Sequence, residues 1–440
     1  MSEVRLPPGP KNAGMLLEAP RLARGVLPYL VGLSRRYADP LVHVQFGPGA
    51  SYLVNHPDLV KEFLVRIPER FSRSRWLGEL RHLVGSGLLF SDEAAWVAQR
   101  RRLRPAYARG HRAVVEDATR AETEACADRW RRAPGATLDV QEEVKRVLLR
   151  ALVRIMFSPD AAVDARRVIA DLDAVLQFVG MRSQVIRQNL GRVGVRGWGE
   201  GAVRAALDRL DAFIDDLVDG CRTGRYASGL LLATLLEAEA RGEVDAQNLH
   251  DEVGTLLVAG FDTTSALVTF ALWSLAARPD LADAVRAEAG ADEQPVLEQV
   301  LRETLRLYPA VWAIQRTAAE DVDLGGFRIP KGEHVMVSPF ALQRNPAFWP
   351  DPERFAPERF ADAPPNDLAL GFEYLPFSHG RHTCIGKRMA LQQAGQMVTD
   401  LVSAFDFAQA GRPPRLVPGV ILRAARGVPL RVEPRRPRAS

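Results

Sequence analysis

Cysteine is almost missing from this chain: three in 440 residues, at positions 126, 221 and 384, too few and too far apart for a disulfide scaffold. A reducing, intracellular setting fits that usage. No CxxC pair or HxxxH run is present either, so a closed zinc site lacks a full donor set. An excess of one charge sign is also absent. The net charge is +4 and the pI about 9.1, and both signs are spread along the chain, which argues against a nucleic-acid binder. The first residues, Met1-Ser2-Glu3-Val4-Arg5-Leu6-Pro7-Pro8, hold no basic segment followed by an apolar run. Neither a signal peptide nor a membrane anchor is expected, and the expected location is the cytoplasm. The almost entirely uncharged stretch from Val253 to Ala277 is long enough to span a bilayer, but Asp262, Thr263, Thr264 and Ser265 at its centre would be costly in lipid. It reads as a buried helix. No internal repeats occur.

What the chain does have is apolar material for a large core, 47% of residues. The strands 41–46 and 51–54, flanking Gly47-Pro48-Gly49, read as a hairpin, and Pro57 opens a helix. The stretch 72–92 has no clear period and contains Gly78, Gly85 and Gly87, as expected of a functional loop. Helical patterning runs from Glu93 to about Gly224, with breaks at Pro134-Gly135, Ser158-Pro159 and 191–201. The spacing predicts the longest helix over 249–278, ended by Pro279 and running roughly 45 Å at 1.5 Å per residue. Short strands follow at 322–324, 327–329 and 334–338, and proline-rich coil leads from 346 to 376. The expected fold is mainly α with small β-sheets. No linker divides the chain, so one domain over 1–440 is expected, with 1–10 and 434–440 flexible.

The coil ends in Phe377-Ser378-His379-Gly380-Arg381-His382-Thr383-Cys384-Ile385-Gly386. Gly380 and Gly386 allow sharp turning and close approach to something flat, and Cys384 lies just before a helix, where unpaired N–H groups favour a thiolate. Three readings are open. Cys384 is a buried structural cysteine, or one of three metal ligands with His379 and His382, or a lone thiolate ligand to haem iron, which pushes electron density toward O–O cleavage.

Four further motifs precede this loop in order: Trp96-Val97-Ala98-Gln99-Arg100; Ala259-Gly260-Phe261-Asp262-Thr263-Thr264; Glu303-Thr304-Leu305-Arg306; and Asp351-Pro352-Glu353-Arg354-Phe355-Ala356-Pro357-Glu358-Arg359-Phe360. Thr263 can bond back to the Ala259 carbonyl and open the helix, while Gly260 leaves space for a small molecule. Together with the loop pattern FxxGx[HR]xCxG, these WxxxR, AGxDTT, ExxR and PERF segments resemble the cytochrome P450 family across most of the chain.

The resemblance implies the P450 fold, with the long central helix over haem b (iron protoporphyrin IX), and Cys384 as the iron ligand. It implies that Trp96, Arg100, Ala259, Gly260, Arg316, Phe377, Gly380, His382 and Gly386 contribute to the cofactor site, with Arg100, Arg316 and His382 toward the propionates. Asp262 and Thr263 would deliver protons during O₂ activation. Glu303, Arg306 and Arg359 would form a structural triad that holds the cysteine loop, with Arg354 as the decoy of the two PERF-like arginines. Gln343 stands where relatives often carry histidine and is expected to touch none of this chemistry.

A monooxygenase acting on a lipophilic terpenoid, fatty-acid or polyketide-like molecule follows, with a substrate pocket drawn from Leu88, Leu89, Phe178, Leu256, Phe261, Val311, Trp312, Val420 and Ile421 within the segments 76–89, 175–186, 311–313 and 420–421. Electrons would come from a separate ferredoxin or flavodoxin with its reductase, received at a basic surface of Arg100 to Arg104, Arg109, Arg112, Lys387 and Arg388. A peroxygenase of the same fold usually replaces the acid–threonine pair, which is intact here. A haem sensor has no need of that pair, and a zinc-binding helical protein lacks the donors.

Overall fold

The structure is a computed structural model that describes residues 6–10, 14–44, 51–73, 81, 85–179, 200–363 and 370–435. The turn at Gly47–Gly49, the loop residues Trp76 and Gly78, the stretch 180–186 of one expected pocket segment, nearly all of the 191–201 break and the last five residues of the tail lie outside the described residues. Contacts gather the chain into two compact units, one of residues 1–78 and 302–384, the other of 79–301 and 385–440.

Helices dominate the second unit: α1 (Glu93–Leu103), α2 (Arg112–Arg131), α3 (Val140–Leu152), α4 (Ala165–Val179), α5 (Glu200–Arg222), α6 (Leu230–Ala240), α7 (Ala246–Gly260), α8 (Asp262–Ala276), then α9 (Pro295–Leu307), whose last turns belong to the first unit, and α10 (Lys387–Ala404). α8 is apolar on nearly every side, so it can be stable only where it is surrounded, and it packs between α3 and α10. Together α7 and α8 are apolar and long enough to cross a membrane, but most of that length is buried inside the protein.

The expected continuous helix over 249–278 is in fact two. Asp245 starts α7 earlier, accepting the Asn248 N–H at 2.7 Å, a capping signal that apolar periodicity does not register. The interruption falls at Phe261. The Thr263 hydroxyl donates to the Ala259 carbonyl at 3.0 Å, and the Thr264 hydroxyl to the Gly260 carbonyl at 3.4 Å, so side chains occupy acceptors of the helical ladder. α8 stops at Ala276, before the Pro279 that opens the next helix.

The first unit is built on a five-stranded sheet in the spatial order Leu41–Val44, Ser51–Val54, His334–Val337, Ile314–Ala318 and Phe71–Arg73, antiparallel except for the second and third strands. Alternate strand residues such as Val335 and Val337 join Phe63, Phe71 and Leu375 in its core. Leu375 carries the chain from that core into the cysteine loop.

Candidate functional site

In the first unit, Cys384 is exposed, which removes the reading of a buried structural cysteine. Its backbone N–H donates to the Phe377 carbonyl at 3.0 Å, closing the loop on itself. The Thr383 N–H and hydroxyl both donate to the Gly380 carbonyl, at 3.2 and 2.7 Å. Gly380 has φ +74°, and a Cβ there would sit 2.5 Å from the Leu64 carbonyl oxygen, so both conformation and space demand glycine. Gly386 differs from the expectation: at φ −85° it needs no glycine-specific turn. Ser378 holds φ +60° without being glycine.

His379 is not positioned as a metal ligand. Its Nε2 lies 3.2 and 3.1 Å from the Gly371 and Tyr374 carbonyls, so it is the protonated nitrogen. His382 and Phe377 are half-buried, and Arg316, on the strand Ile314–Ala318, donates to the Gln315 carbonyl at 2.9 Å. No group of three His, Cys, Asp or Glu side chains able to hold a metal occurs among the described residues. An exposed thiol that belongs to no metal-holding cluster among the described residues suits an iron whose other ligands come from a macrocycle, so the residues present fit haem.

The loop's support is concentrated around α9. Glu303 and Arg306 are fully buried and form a bidentate pair, Nε to Oε2 at 2.7 Å and Nη2 to Oε1 at 2.8 Å. Nη1 donates to the carbonyls of Gln343 and Pro352 at 2.7 and 2.8 Å, and Nη2 to that of Arg354 at 3.1 Å, so all five guanidinium donors are used. Glu303 also accepts the Ala356 N–H at 2.8 Å and Arg359 Nε at 3.2 Å. Arg354 instead pairs with Glu358, both side chains exposed.

Gln343 requires a correction, because it lies at the centre of this support. Fully buried, it donates from Nε2 to the Leu305 and Arg306 carbonyls at 3.1 and 2.8 Å and accepts the Leu375 N–H at 2.8 Å. An amide supplies donor and acceptor at once, which is how one side chain joins the end of α9 to the start of the cysteine loop. Tyr374 adds a second tie, its hydroxyl donating to the Arg302 carbonyl at 2.9 Å. Arg344 is buried over the Phe340 ring, and burial lowers its guanidinium to about 10.

In the second unit, Asp262 and Thr263 open α8. The Asp262 carboxylate is bonded to Arg423 and lies 3.8 Å from Lys145, and Asp173 closes the set, 2.6 Å from Arg423 and 3.1 Å from Lys145. Two cations and two anions thus neutralise one another in a buried place. Sequence reading missed Arg423, Lys145 and Asp173; only the mismatch of an acid inside an apolar run hinted that partners existed.

Gly260 also differs from the expectation. A Cβ there would meet Leu152 Cδ2 at 2.9 Å, so the glycine lets α7 pack closely on α3, and the space expected for a small molecule is filled. Ala259 is half-buried beside it. On α1, the Arg100 guanidinium lies 5.3 Å from the Trp96 ring.

Of the residues expected to line a pocket, Val311 and Trp312 belong to the first unit and the others to the second. Leu88, Leu89, Phe178, Leu256 and Val420 are half-buried and Val311 is exposed, whereas Phe261, Trp312 and Ile421 are covered by protein atoms. Of the expected basic surface, Arg101, Arg104, Arg109, Arg112 and Arg388 are exposed and Arg100 and Lys387 half-exposed. Arg102 turns away from that surface, donating to the Glu243 carbonyl at 3.0 Å. The other two thiols differ from Cys384: Cys126 is fully buried, with desolvation pushing it up to about 12, and Cys221 is half-buried and raised for the same reason.

Comparison with known proteins adds sequence and fold likeness to this geometry. The family model described as Cytochrome P450 matches residues 7–428. The chain is 32% identical to a cyclooctat-9-en-7-ol 5-monooxygenase of Streptomyces melanosporofaciens, over 94% of this chain and 90% of that one. It is 27% identical to a pentalenene oxygenase of Streptomyces avermitilis, covering 82% and 83%. The crystal structure of CYP175A1 from a Thermus species superposes with a TM-score of 0.79 at 22% identity, covering 97% of this chain and 99% of that one.

Proposed function

Because this chain belongs to the cytochrome P450 family, and is therefore a monooxygenase that binds haem b through a cysteine thiolate, we propose that Cys384 is that ligand and that the substrate is a terpenoid. The observation that carries the substrate class is the likeness to the cyclooctat-9-en-7-ol oxygenase along nearly the whole chain, with pentalenene oxygenase as a second terpenoid relative. The half-buried apolar side chains Leu88, Leu89, Leu256 and Val420 agree with a lipophilic guest. Electrons come from a ferredoxin or flavodoxin docked at the arginine-rich surface, and the protein works in the cytoplasm. The two units act as one catalytic domain, since the chain passes between them three times, once within α9.

When bound, haem supplies the O₂ activation that no side chain here can perform. The chain's residues then have distinct tasks. The backbone bond from Cys384 to Phe377 would fix the thiolate, with Arg100 and Arg316 supplying positive charge and His382 a ring N–H for the propionates. The Thr263 hydroxyl, anchored on the Ala259 carbonyl, keeps oxygen lone pairs to accept and pass a proton. The Asp262 carboxylate is tied to Arg423, so it can reach Thr263 to relay a proton only after turning away from that guanidinium.

The test is a spin-shift titration with cyclic terpenes, fatty acids and polyketide lactones, followed by turnover with NADPH, ferredoxin and reductase. Terpenes are expected to shift the spin state and give oxygenated product; a response confined to the other two classes overturns the assignment. Thr263→Ala should keep the reduced-CO spectrum and terpene binding while oxygen consumption loses its link to product.

A further inference from the structure

In the second turn of α7, Asp251 and Glu252 are both buried, and among the described residues neither is spent on an ion pair. One oxygen of each serves the backbone of a separate segment, while Asp251 Oδ1 accepts Gln247 Nε2 of the same helix at 2.8 Å. Asp251 Oδ2 accepts the Ser86 N–H at 2.6 Å, and Glu252 Oε2 accepts the Leu88 N–H at 3.0 Å, so two amides of one turn-rich stretch land on adjacent carboxylates. From α1, Gln99 Nε2 donates to the Ser86 carbonyl at 2.9 Å and holds the segment from another side.

The fit leaves no slack. Gly85 has φ +79°, and a Cβ there would lie 2.1 Å from Asp251 Oδ1; a Cβ on Gly87 would lie 2.1 Å from Thr255 Oγ1. Glu252 Oε1, Thr255 Oγ1 and Gln99 Oε1 are buried with no hydrogen-bond partner among the described residues. Leaving a buried carboxylate oxygen unpaired is unfavourable, and most so when the group is charged.

We propose that Asp251 and Glu252 are positioning residues that hold the segment 85–89 in its substrate-contacting form, and that Glu252, by gaining or losing one proton, sets how firmly it is held. This rests on the reading above that Leu88 and Leu89 line the terpenoid pocket.

The charges around Glu252 are few. Arg102 of α1 is the cation acting on it and is shared with Glu243, and Asp251 is the anion acting on it. His250 faces Asp211 and Asp215 of α5, and Lys145 of α3 is committed to Asp173 and Asp262. On α6, Glu237 and Glu239 face Arg241 and Arg222. Burial therefore dominates and raises Glu252 to about 7, against the Leu88 N–H and Arg102. With the segment released, Glu252 meets water and returns to the ordinary carboxylate range, so the docked form binds the proton more tightly. Docking is then strongest in acid and weakens as pH rises through about 7, by about tenfold between pH 6 and pH 8.

Amide hydrogen exchange on the haem-loaded full-length protein tests this without substrate. Protection of the Ser86 and Leu88 amides, corrected for intrinsic exchange, should fall about tenfold from pH 6 to pH 8 in the wild type. It should be flat in Glu252→Gln, and lower at both pH values with the ratio kept in Asp251→Asn. A flat wild type, or the same ratio in Glu252→Gln, overturns the proposal. The pocket reading is tested apart from it with 4-phenylimidazole as the probe: Leu88→Ala and Leu89→Ala should weaken its binding, and unchanged affinity refutes that reading whatever the exchange data give.

Discussion

Gln343 shows how much one side chain can carry at a junction. Its three hydrogen bonds join two carbonyls at the end of α9 to the Leu375 amide, all out of water. Gln343→Ala strands those three backbone groups, each costing about 1 kcal/mol or more when buried and unpaired. Stability should fall by about 3 kcal/mol, read from the denaturant midpoint of the haem-loaded protein. Haem release into apomyoglobin should quicken in the same variant, because Leu375 leads directly into the Cys384 loop. No local pattern around Gln343 reveals these bonds, since its partners are 32 to 38 residues away.

At the scale of elements, α9 and the coil 349–360 behave as one piece, joined by a guanidinium with every donor engaged. Arg306→Lys keeps the charge but loses the fork, so several carbonyls and one carboxylate oxygen lose partners. We expect about 3–5 kcal/mol of destabilisation and little haem-loaded protein on expression. Arg354→Ala, which removes only an exposed pair with Glu358, should stay within about 0.5 kcal/mol by the same denaturation measurement.

The contrast also shows what was legible in the sequence. The mainly helical fold and the buried character of 253–277 followed from periodicity and from short-range pattern. The bond from Thr263 to Ala259 was readable because it is local. Arg423, Asp173 and Lys145 were not, since a charge cluster assembled from three distant segments leaves no spacing to detect. The space beside Gly260 was misjudged for a related reason: a missing Cβ admits either a ligand or a neighbouring helix, and only the fold shows Leu152 there.

For the molecule as a whole, charge matters through its distribution more than its sum. A net charge of +4 is small, yet Arg101, Arg104, Arg109, Arg112 and Arg388 are all exposed in the second unit. Reduction by an acidic ferredoxin should therefore slow as salt is raised from about 50 to 500 mM, with charge reversal at Arg104 and Arg112 flattening the dependence. Rates of haem reduction by stopped flow that ignore salt would remove the arginine surface from partner docking.

The burial of the thiols has an analytical consequence. Cys126 is sealed in the core with its thiol pushed up to about 12, Cys221 is raised and half-covered, and Cys384 alone is exposed. Thiolate chemistry under mild conditions is therefore selective without mutagenesis. Haem-free native protein should titrate one fast equivalent of Ellman's reagent, and reconstitution with haemin should abolish it, making the chain its own stoichiometric gauge of cofactor loading.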